Sequence, residues 1–348
     1  MPLFILVSIL VILGLVMIYD SSISQALQDF GDSYYYIRQQ LIWLGVGIIS
    51  AIFFINFNYL KLQKLSGIIL IISFLMLLAV FIPGLGETVG GARRWLNLGI
   101  LTIQPAEVMK LASIIWFSSI FAKKPTIKHL LILDVLAILI MAFLQKDFGS
   151  TTVLIITSVA IFLVAGGALW KMLIIGLFAL ASAAALIFSA PYRIKRILAF
   201  LDPFSDPRGY SYHISQMLIA LGSGGLFGLG LGQSRQKFYI PEVSTDSIFA
   251  IVGEELGLLG ATFTILLFAI FIIRGLKIAT DVKDRFGQIM ATGITVWIGV
   301  QAMINMASVV AFSPLTGLPL PFISYGGSAL VVNLTAVGIL LNISKQSG

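Results

Sequence analysis

Ten apolar runs dominate this sequence, and most approach the roughly 17–25 residues needed for a helix to cross a bilayer. They are Leu3–Ile18, Leu41–Phe57, Ser66–Ile82, Val108–Phe121, Leu130–Leu144, Thr152–Ala165, Met172–Ser189, Ile248–Ile273, Gln288–Phe312 and Ser328–Ile343. Only 11% of the residues are charged, against about 25% in a soluble globular domain. A soluble fold is therefore excluded. The expected architecture is all-α, a polytopic integral membrane protein of about ten transmembrane helices. It forms one domain, 1–348, with one long extracytoplasmic and partly re-entrant loop, 191–250, between spans seven and eight. The first run has no Lys or Arg before it and no cleavage signature after it, so a retained helix is expected there.

Orientation follows from Lys and Arg in the short loops. One face carries Lys61, Lys64, Lys123, Lys124, Lys128, Lys171, Arg274, Lys277, Lys283, Arg285 and Lys345, 11 in all. The opposite face carries 5, excluding the long loop, whose six cations vote weakly because long segments translocate largely regardless of charge. Both termini are thus expected in the cytoplasm and the long loop on the outer face of the membrane. Of 15 acids, 12 share the outer face, which agrees. The +7 net charge reads as topology signal and anionic-lipid contact, not as a nucleic-acid surface.

The chain has no cysteine, which excludes thiolate chemistry, and its two histidines are too few for a histidine-ligated zinc centre. Chemistry must come from carboxylates, hydroxyls, amines or a bound ion. Between spans three and four lie Arg93, Arg94 and Trp95, then Gln104 and Glu107, with Lys110 inside the next helix. Paired guanidinium groups suit a phosphate headgroup; interfacial anchoring by Trp and Arg is the plain alternative. Glu107 and Lys110, three residues apart on a helix, are placed to pair with each other or with neighbours, and charges at that depth are kept for function or specific packing.

The long loop opens with the cations Arg193, Lys195 and Arg196 and continues into an apolar segment, Tyr210–Leu221, too short to span. The glycine-rich run Gly222–Gly232 fits neither nucleotide-binding spacing, so close backbone packing of an irregular, protein-buried segment is expected. Arg235 and Lys237 follow, then Glu242, Thr245 and Asp246 at the head of span eight. The residues alone define an anionic lipid-headgroup site with a candidate base. The plain alternative for Asp246 is a cap on the eighth helix.

At these motifs the chain resembles the SEDS family of peptidoglycan glycosyltransferases, which includes FtsW, RodA and SpoVE. The resemblance rests on Leu221-Gly222-Ser223-Gly224-Gly225, Pro241-Glu242 with Thr245-Asp246, Glu254-Glu255-Leu256-Gly257, Asp147-Phe148-Gly149, and Pro319–Ser328 before the last helix. Ala106, Lys146 and Ser247 depart from the family's usual residues without removing a candidate catalytic group. The stretches Leu201–Pro207 and Gly232–Lys237 lean to the division and sporulation branch, whereas Thr316–Pro321 is also at home in the elongation branch.

The resemblance implies polymerisation of lipid II into β-1,4 glycan on the outer membrane face, with release of undecaprenyl pyrophosphate. Asp246 is then the expected catalytic base. Substrate contacts are expected at Arg93, Arg94, Trp95, Gln104, Glu107, Lys110, Arg235, Lys237, Glu242, Thr245 and Ser324. Charge on the leaving pyrophosphate falls to these cations or to a divalent ion, Mg or Mn, with no organic cofactor. The implied partners are lipid II, the nascent glycan strand, a class B penicillin-binding protein and other division or elongation membrane proteins. A flippase for lipid-linked sugars and a non-catalytic scaffold are the readings from other functional classes.

Overall fold

The structure is a computed structural model and describes residues 2–89, 91–97, 99, 102–170, 176, 194 and 198–346. The seventh apolar run, and the cations Arg193, Lys195 and Arg196, lie outside the described residues. The other nine runs each fall on a helix. These are α1 (Pro2–Phe30), α2 (Tyr35–Asn56), α3 (Leu60–Ala79), α4 (Pro105–Phe121), α5 (Ile127–Ala137, continuing as a π-helix over Ile138–Leu144) and α6 (Phe148–Val164). After the partly described region come α7 (Tyr212–Gly224), α8 (Ile248–Asp281), α9 (Arg285–Val309) and α10 (Gly327–Gln346). Among the described residues, seven helices are long and apolar enough to cross a membrane.

Local chemistry sets the helix starts. Pro105 opens α4, where its missing N–H costs nothing. Asp147 caps α6, its Oδ1 accepting from the Ser150 N–H at 3.1 Å, and Asp284 caps α9 by accepting from the Gly287 N–H at 2.8 Å. Two helices run beyond their apolar cores: α1 continues past Ile18 through Asp20 to Phe30, and α8 past Ile273 to Asp281. Apolar length marks only what the bilayer must cover, not where helical hydrogen bonding stops.

One end of the bundle gathers the turns between α2 and α3, α4 and α5, and α8 and α9, together with both described chain ends. Tyr59 holds it closed. Its hydroxyl donates to Asp284, and its N–H donates to Asn342 Oδ1 at 3.3 Å. Burial, then the bond to Asp284, raises the Tyr59 pKa, so the phenol stays a donor. The lysine-rich loops belong to this end.

The opposite end carries a feature that helical periodicity does not show, an antiparallel sheet of β1 (Gly86–Val89), β2 (Ala92–Asn97) and β3 (Thr102–Ile103) in the order β1-β2-β3. Gly90-Gly91 between two short polar-apolar strands is the hairpin signal. Arg93, Arg94 and Trp95 are thereby fixed on β2 and not on an irregular loop.

Helix α8 is interrupted. At Gly257 the backbone has φ 68° and ψ −167°, a region open essentially to glycine. The break frees backbone groups on both sides, and the glycine-rich loop after α7 satisfies them. Leu229 and Gly230 donate to the carbonyls of Glu254 and Glu255, both at 3.0 Å, while the Leu258 and Leu259 N–H groups donate to Gly225 and Leu226. A Cβ on Gly228 would meet the Glu255 oxygen at 2.1 Å, so only glycine permits this approach. The expected close backbone packing is present, but burial is not complete: the side chains of Leu226 and Phe227 are exposed. The apolar segment at Tyr210–Leu221 forms α7, whose 13 residues span about 20 Å, with Ile214, Met217 and Ala220 buried on one face.

Candidate active site

Asp246 lies in the turn before α8, half-buried, at the bundle end that carries the sheet. It does not cap the helix. Ser247 occupies that position, and its side chain makes no capping bond, its Oγ lying 2.7 Å from His213 Nε2. Three neighbours hold the backbone of the Ser244–Asp246 turn instead. Asn305 of α9 donates from Nδ2 to the Asp246 carbonyl at 2.8 Å and to the Leu318 carbonyl at 2.7 Å. Ser324 donates its hydroxyl to the Thr245 carbonyl and accepts from the Leu320 N–H at 2.8 Å. The Tyr325 N–H donates to the Ser244 carbonyl at 2.8 Å. These bonds splice the Ser244–Asp246 turn to the 313–326 loop, which brings the Gly317 backbone beside Asp246 Oδ2.

Thr245 and Glu242 complete the turn. The Thr245 hydroxyl lies 3.3 Å from Asp246 Oδ1 and 3.3 Å from Glu242 Oε2. Glu242 is exposed at φ 50°, a conformation a non-glycine residue holds only when its surroundings dictate it. Tyr325 is half-buried above the turn. Burial first, then Tyr35 and Tyr36, pushes its hydroxyl up to about 12.

Beneath the 313–326 loop runs a second network. Gln301 donates from Nε2 to the Pro319 carbonyl at 3.0 Å, while its Oε1 accepts from Lys110 Nζ at 2.6 Å and Trp297 Nε1 at 3.1 Å. Lys110 also pairs with Glu107 Oε1 at 2.8 Å. The two charged side chains are 1% and 0% exposed. The expected pairing is present, and both side chains are buried in this structure. Their structural role is to hold Gln301, and through it the loop facing Asp246. Ser324, 5% exposed, is likewise a brace with both polar contacts directed inward.

The sheet joins from a third side. Arg94 donates to the carbonyls of Gln145 and Lys146, and Gln104 Nε2 donates to Asp147 Oδ2 at 3.2 Å. The segment they fix packs on the Asp246-facing loop: a Cβ on Gly149 would lie 2.9 Å from the Thr316 carbonyl oxygen. Arg94 and Gln104, both half-buried, are thus engaged with the 145–147 segment, whereas the Arg93 side chain is exposed and bonds only to Thr88 Oγ1, at 3.3 Å, among the described residues. Trp95 is half-buried on β2, paired across the sheet with Glu87.

Lys237 departs from expectation. Its Nζ contacts Asp20 Oδ1 at 2.9 Å and approaches Glu255 Oε1 at 4.0 Å, so it ties α1 to α8 and is not directed at the Asp246 turn. The cause is a short 3-10 turn, Gln236–Phe238, which folds the chain back over α1. Glu254 organises that turn by accepting from the Ser234 hydroxyl and from the Arg235 N–H at 3.0 Å. The Arg235 side chain remains exposed. Asp20, Gln301 and Asn305 were not among the expected site residues. Trp297, Gln301 and Asn305 recur every four residues in an apolar span, a polar stripe on one helix face that signals a buried network. Among the described residues, no three His, Asp or Glu side chains converge as a metal-binding group.

The model of the cell cycle protein family FtsW/RodA/SpoVE matches residues 1–348. The chain belongs to this family. It is 42% identical over 347 residues to stage V sporulation protein E of Bacillus subtilis, covering 97% of this chain and 95% of the relative. It is 40% identical to a probable peptidoglycan glycosyltransferase FtsW of Trichlorobacter lovleyi, covering 95% and 89% of the two chains. A chain from a solved peptidoglycan synthase complex that coordinates polymerisation and crosslinking superposes with TM-score 0.83 at 25% identity, covering 99% of this chain and 97% of that one. The rod shape determining protein RodA of Thermus thermophilus gives 0.73 at 25% identity, with coverage of 99% and 96%. The stage V sporulation protein and FtsW among these relatives accord with the lean of Leu201–Pro207 and Gly232–Lys237, and the RodA structure is that of a polytopic helical protein like this one.

Proposed function

We propose that this chain is a peptidoglycan glycosyltransferase that polymerises lipid II into β-1,4 glycan strands, with Asp246 as the catalytic base. The observation that carries the residue assignment is the placement of Asp246. The Ser244–Asp246 turn is held by Asn305 at the Asp246 carbonyl, Ser324 at the Thr245 carbonyl and Tyr325 at the Ser244 carbonyl, where three loops of one bundle end meet. The glycosyltransferase names of the relatives carry the reaction.

The chemistry needs one base. The 4-hydroxyl of the acceptor GlcNAc attacks the anomeric carbon of the donor MurNAc as the bond to pyrophosphate breaks, and direct displacement turns an α-linked donor into a β product. An ionised carboxylate in hydrogen-bond reach takes the hydroxyl proton as the new bond forms. No acid partner is required, because pyrophosphate leaves without protonation, in contrast to an inverting glycosidase. The exposed guanidinium groups of Arg93 and Arg235 are the candidates for holding the pyrophosphate charge. Lys110, Glu107, Gln104, Arg94, Lys237 and Ser324 act as positioning residues. Among the described residues no three His, Asp or Glu side chains converge, so a divalent ion beside this turn would take part of its coordination from the pyrophosphate oxygens.

The lysine-rich end is assigned to the cytoplasm and the Asp246 end to the outer face of the bacterial cytoplasmic membrane, by the excess of cations in short loops. A class B penicillin-binding protein is the proposed partner, in keeping with the synthase complex that the fold matches.

The test is purified protein with labelled lipid II, alone and with the transpeptidase partner. Glycan polymer that disappears in Asp246→Ala supports the assignment. Lipid II translocation in liposomes, with no polymer under any partner or metal condition, would establish transport instead.

A further inference from the structure

The lysine-rich end holds a half-open cavity of about 150 Å3 between the start of α1 and the ends of α8 and α10. It has two unlike walls. One is apolar, formed by Leu3, Ile278 and Leu341; the other carries Arg274 and Lys277, with Asp281 at the same wall. Arg274 and Lys277 are three residues apart on α8, so they project from neighbouring positions on one helix face. Both are exposed, and among the described residues neither makes a side-chain hydrogen bond or ion pair, even with Asp281. Two cations and one carboxylate leave this wall with one uncompensated positive charge.

We propose that this cavity is a binding site for an anionic glycerophospholipid, with its phosphodiester on Arg274 and Lys277 and an acyl chain along the Leu3, Ile278 and Leu341 wall. The charge count favours this occupant. A phosphodiester brings one negative charge, which the wall neutralises, and guanidinium and ammonium groups are forked and point donors to its oxygens. A zwitterionic lipid brings no net charge, and a free phosphate leaves the apolar wall bare. The position also fits, because basic pockets between helices at the cytoplasmic interface are where anionic headgroups bind. Exposed Ile273 and Leu276 immediately precede Arg274 and Lys277 on the same helix, so apolar surface flanks the cationic wall. The site is at the far end of the helix whose head carries Asp246, and it does not depend on the glycosyltransferase reading.

The experiment is native mass spectrometry of the delipidated full chain, titrated with phosphatidylglycerol, phosphatidylethanolamine or inorganic phosphate. The expected result is a first phosphatidylglycerol event that is distinctly tighter than the phosphatidylethanolamine event. It should weaken roughly thirtyfold in Arg274→Gln/Lys277→Gln, at about 1 kcal/mol per cation. Asp281→Asn, which removes the opposing charge, should bind phosphatidylglycerol at least as tightly as the unaltered chain. All three substitutions are at exposed positions, and an unchanged melting temperature in lipid-free detergent shows that the variants fold. Equal retention of the two lipids, or phosphatidylglycerol binding unchanged in the double variant, overturns the proposal. Displacement of the lipid by millimolar phosphate overturns the assignment to a phospholipid.

Discussion

Replacing Lys110 by methionine tests the network beneath the Asp246 loop. The lysine and Glu107 are 1% and 0% exposed and 2.8 Å apart, and Glu107 Oε2 has no partner among the described residues. Lys110→Met keeps the volume but leaves a buried carboxylate without its cation, which costs about 3–5 kcal/mol. At about 2 °C per kcal/mol for a large domain, apparent melting should fall by roughly 6–10 °C. Glu107→Gln/Lys110→Met removes both charges, and buried pairs replaced by neutral groups of similar size are often near neutral. The double variant should therefore melt within about 2–4 °C of the parent chain. The assay is thermal unfolding in one detergent at one scan rate, with glycan polymerisation measured on the same samples. Both variants should polymerise more slowly, because the Lys110 donor to Gln301 is lost in each and the Pro319 carbonyl contact loosens. If the single and double variants melt together, the pair is not a desolvated ion pair and the reasoning fails.

Three further outcomes follow from the same structure. Gly257→Ala places a side chain at φ 68° with its Cβ 2.3 Å from the Gly228 nitrogen; it should lower stability by at least 1–3 kcal/mol, and an unchanged unfolding temperature would show that α8 is not broken there. Lys237→Met should destabilise by about 3 kcal/mol because Asp20 and Glu255 lose their cation, whereas Arg235→Gln should leave melting unchanged and raise KM for lipid II; the reverse pattern would exchange their roles. Tyr325 holds its proton to about 12 in the fold, against about 10 in an unfolded chain, so the folded state binds more protons between those values and stability falls as pH rises through them. Tyr325→Phe should flatten that alkaline decline, and an unaltered slope would contradict the burial of the hydroxyl.

The membrane class and nine of the helix positions were legible in the sequence because a bilayer demands long apolar runs whatever the tertiary contacts. The Glu107–Lys110 pair was legible because three-residue spacing on a helix is local. The Lys237–Asp20 bridge was not, since it joins residues 217 positions apart through a turn set by Glu254. Asn305 and Gln301 were written as a stripe on α9 but were hidden inside a run chosen for being apolar. The sheet around Arg93 and Arg94 was overlooked because a short Gly-Gly hairpin carries little hydrophobic pattern. The motif around Asp246 picked out the turn; its locking by Ser324 and Asn305 needed the fold.

The central claim is that Asp246 takes the acceptor proton, and one measurement bears on it most directly. Lipid II polymerisation is to be compared in the parent chain and Asp246→Asn, with folding and lipid II binding verified in both. The carboxamide keeps the shape and removes the base, so the expected result is a rate loss of about 10²–10⁴-fold with substrate binding nearly unchanged. A rate within about threefold of the parent chain would contradict the account.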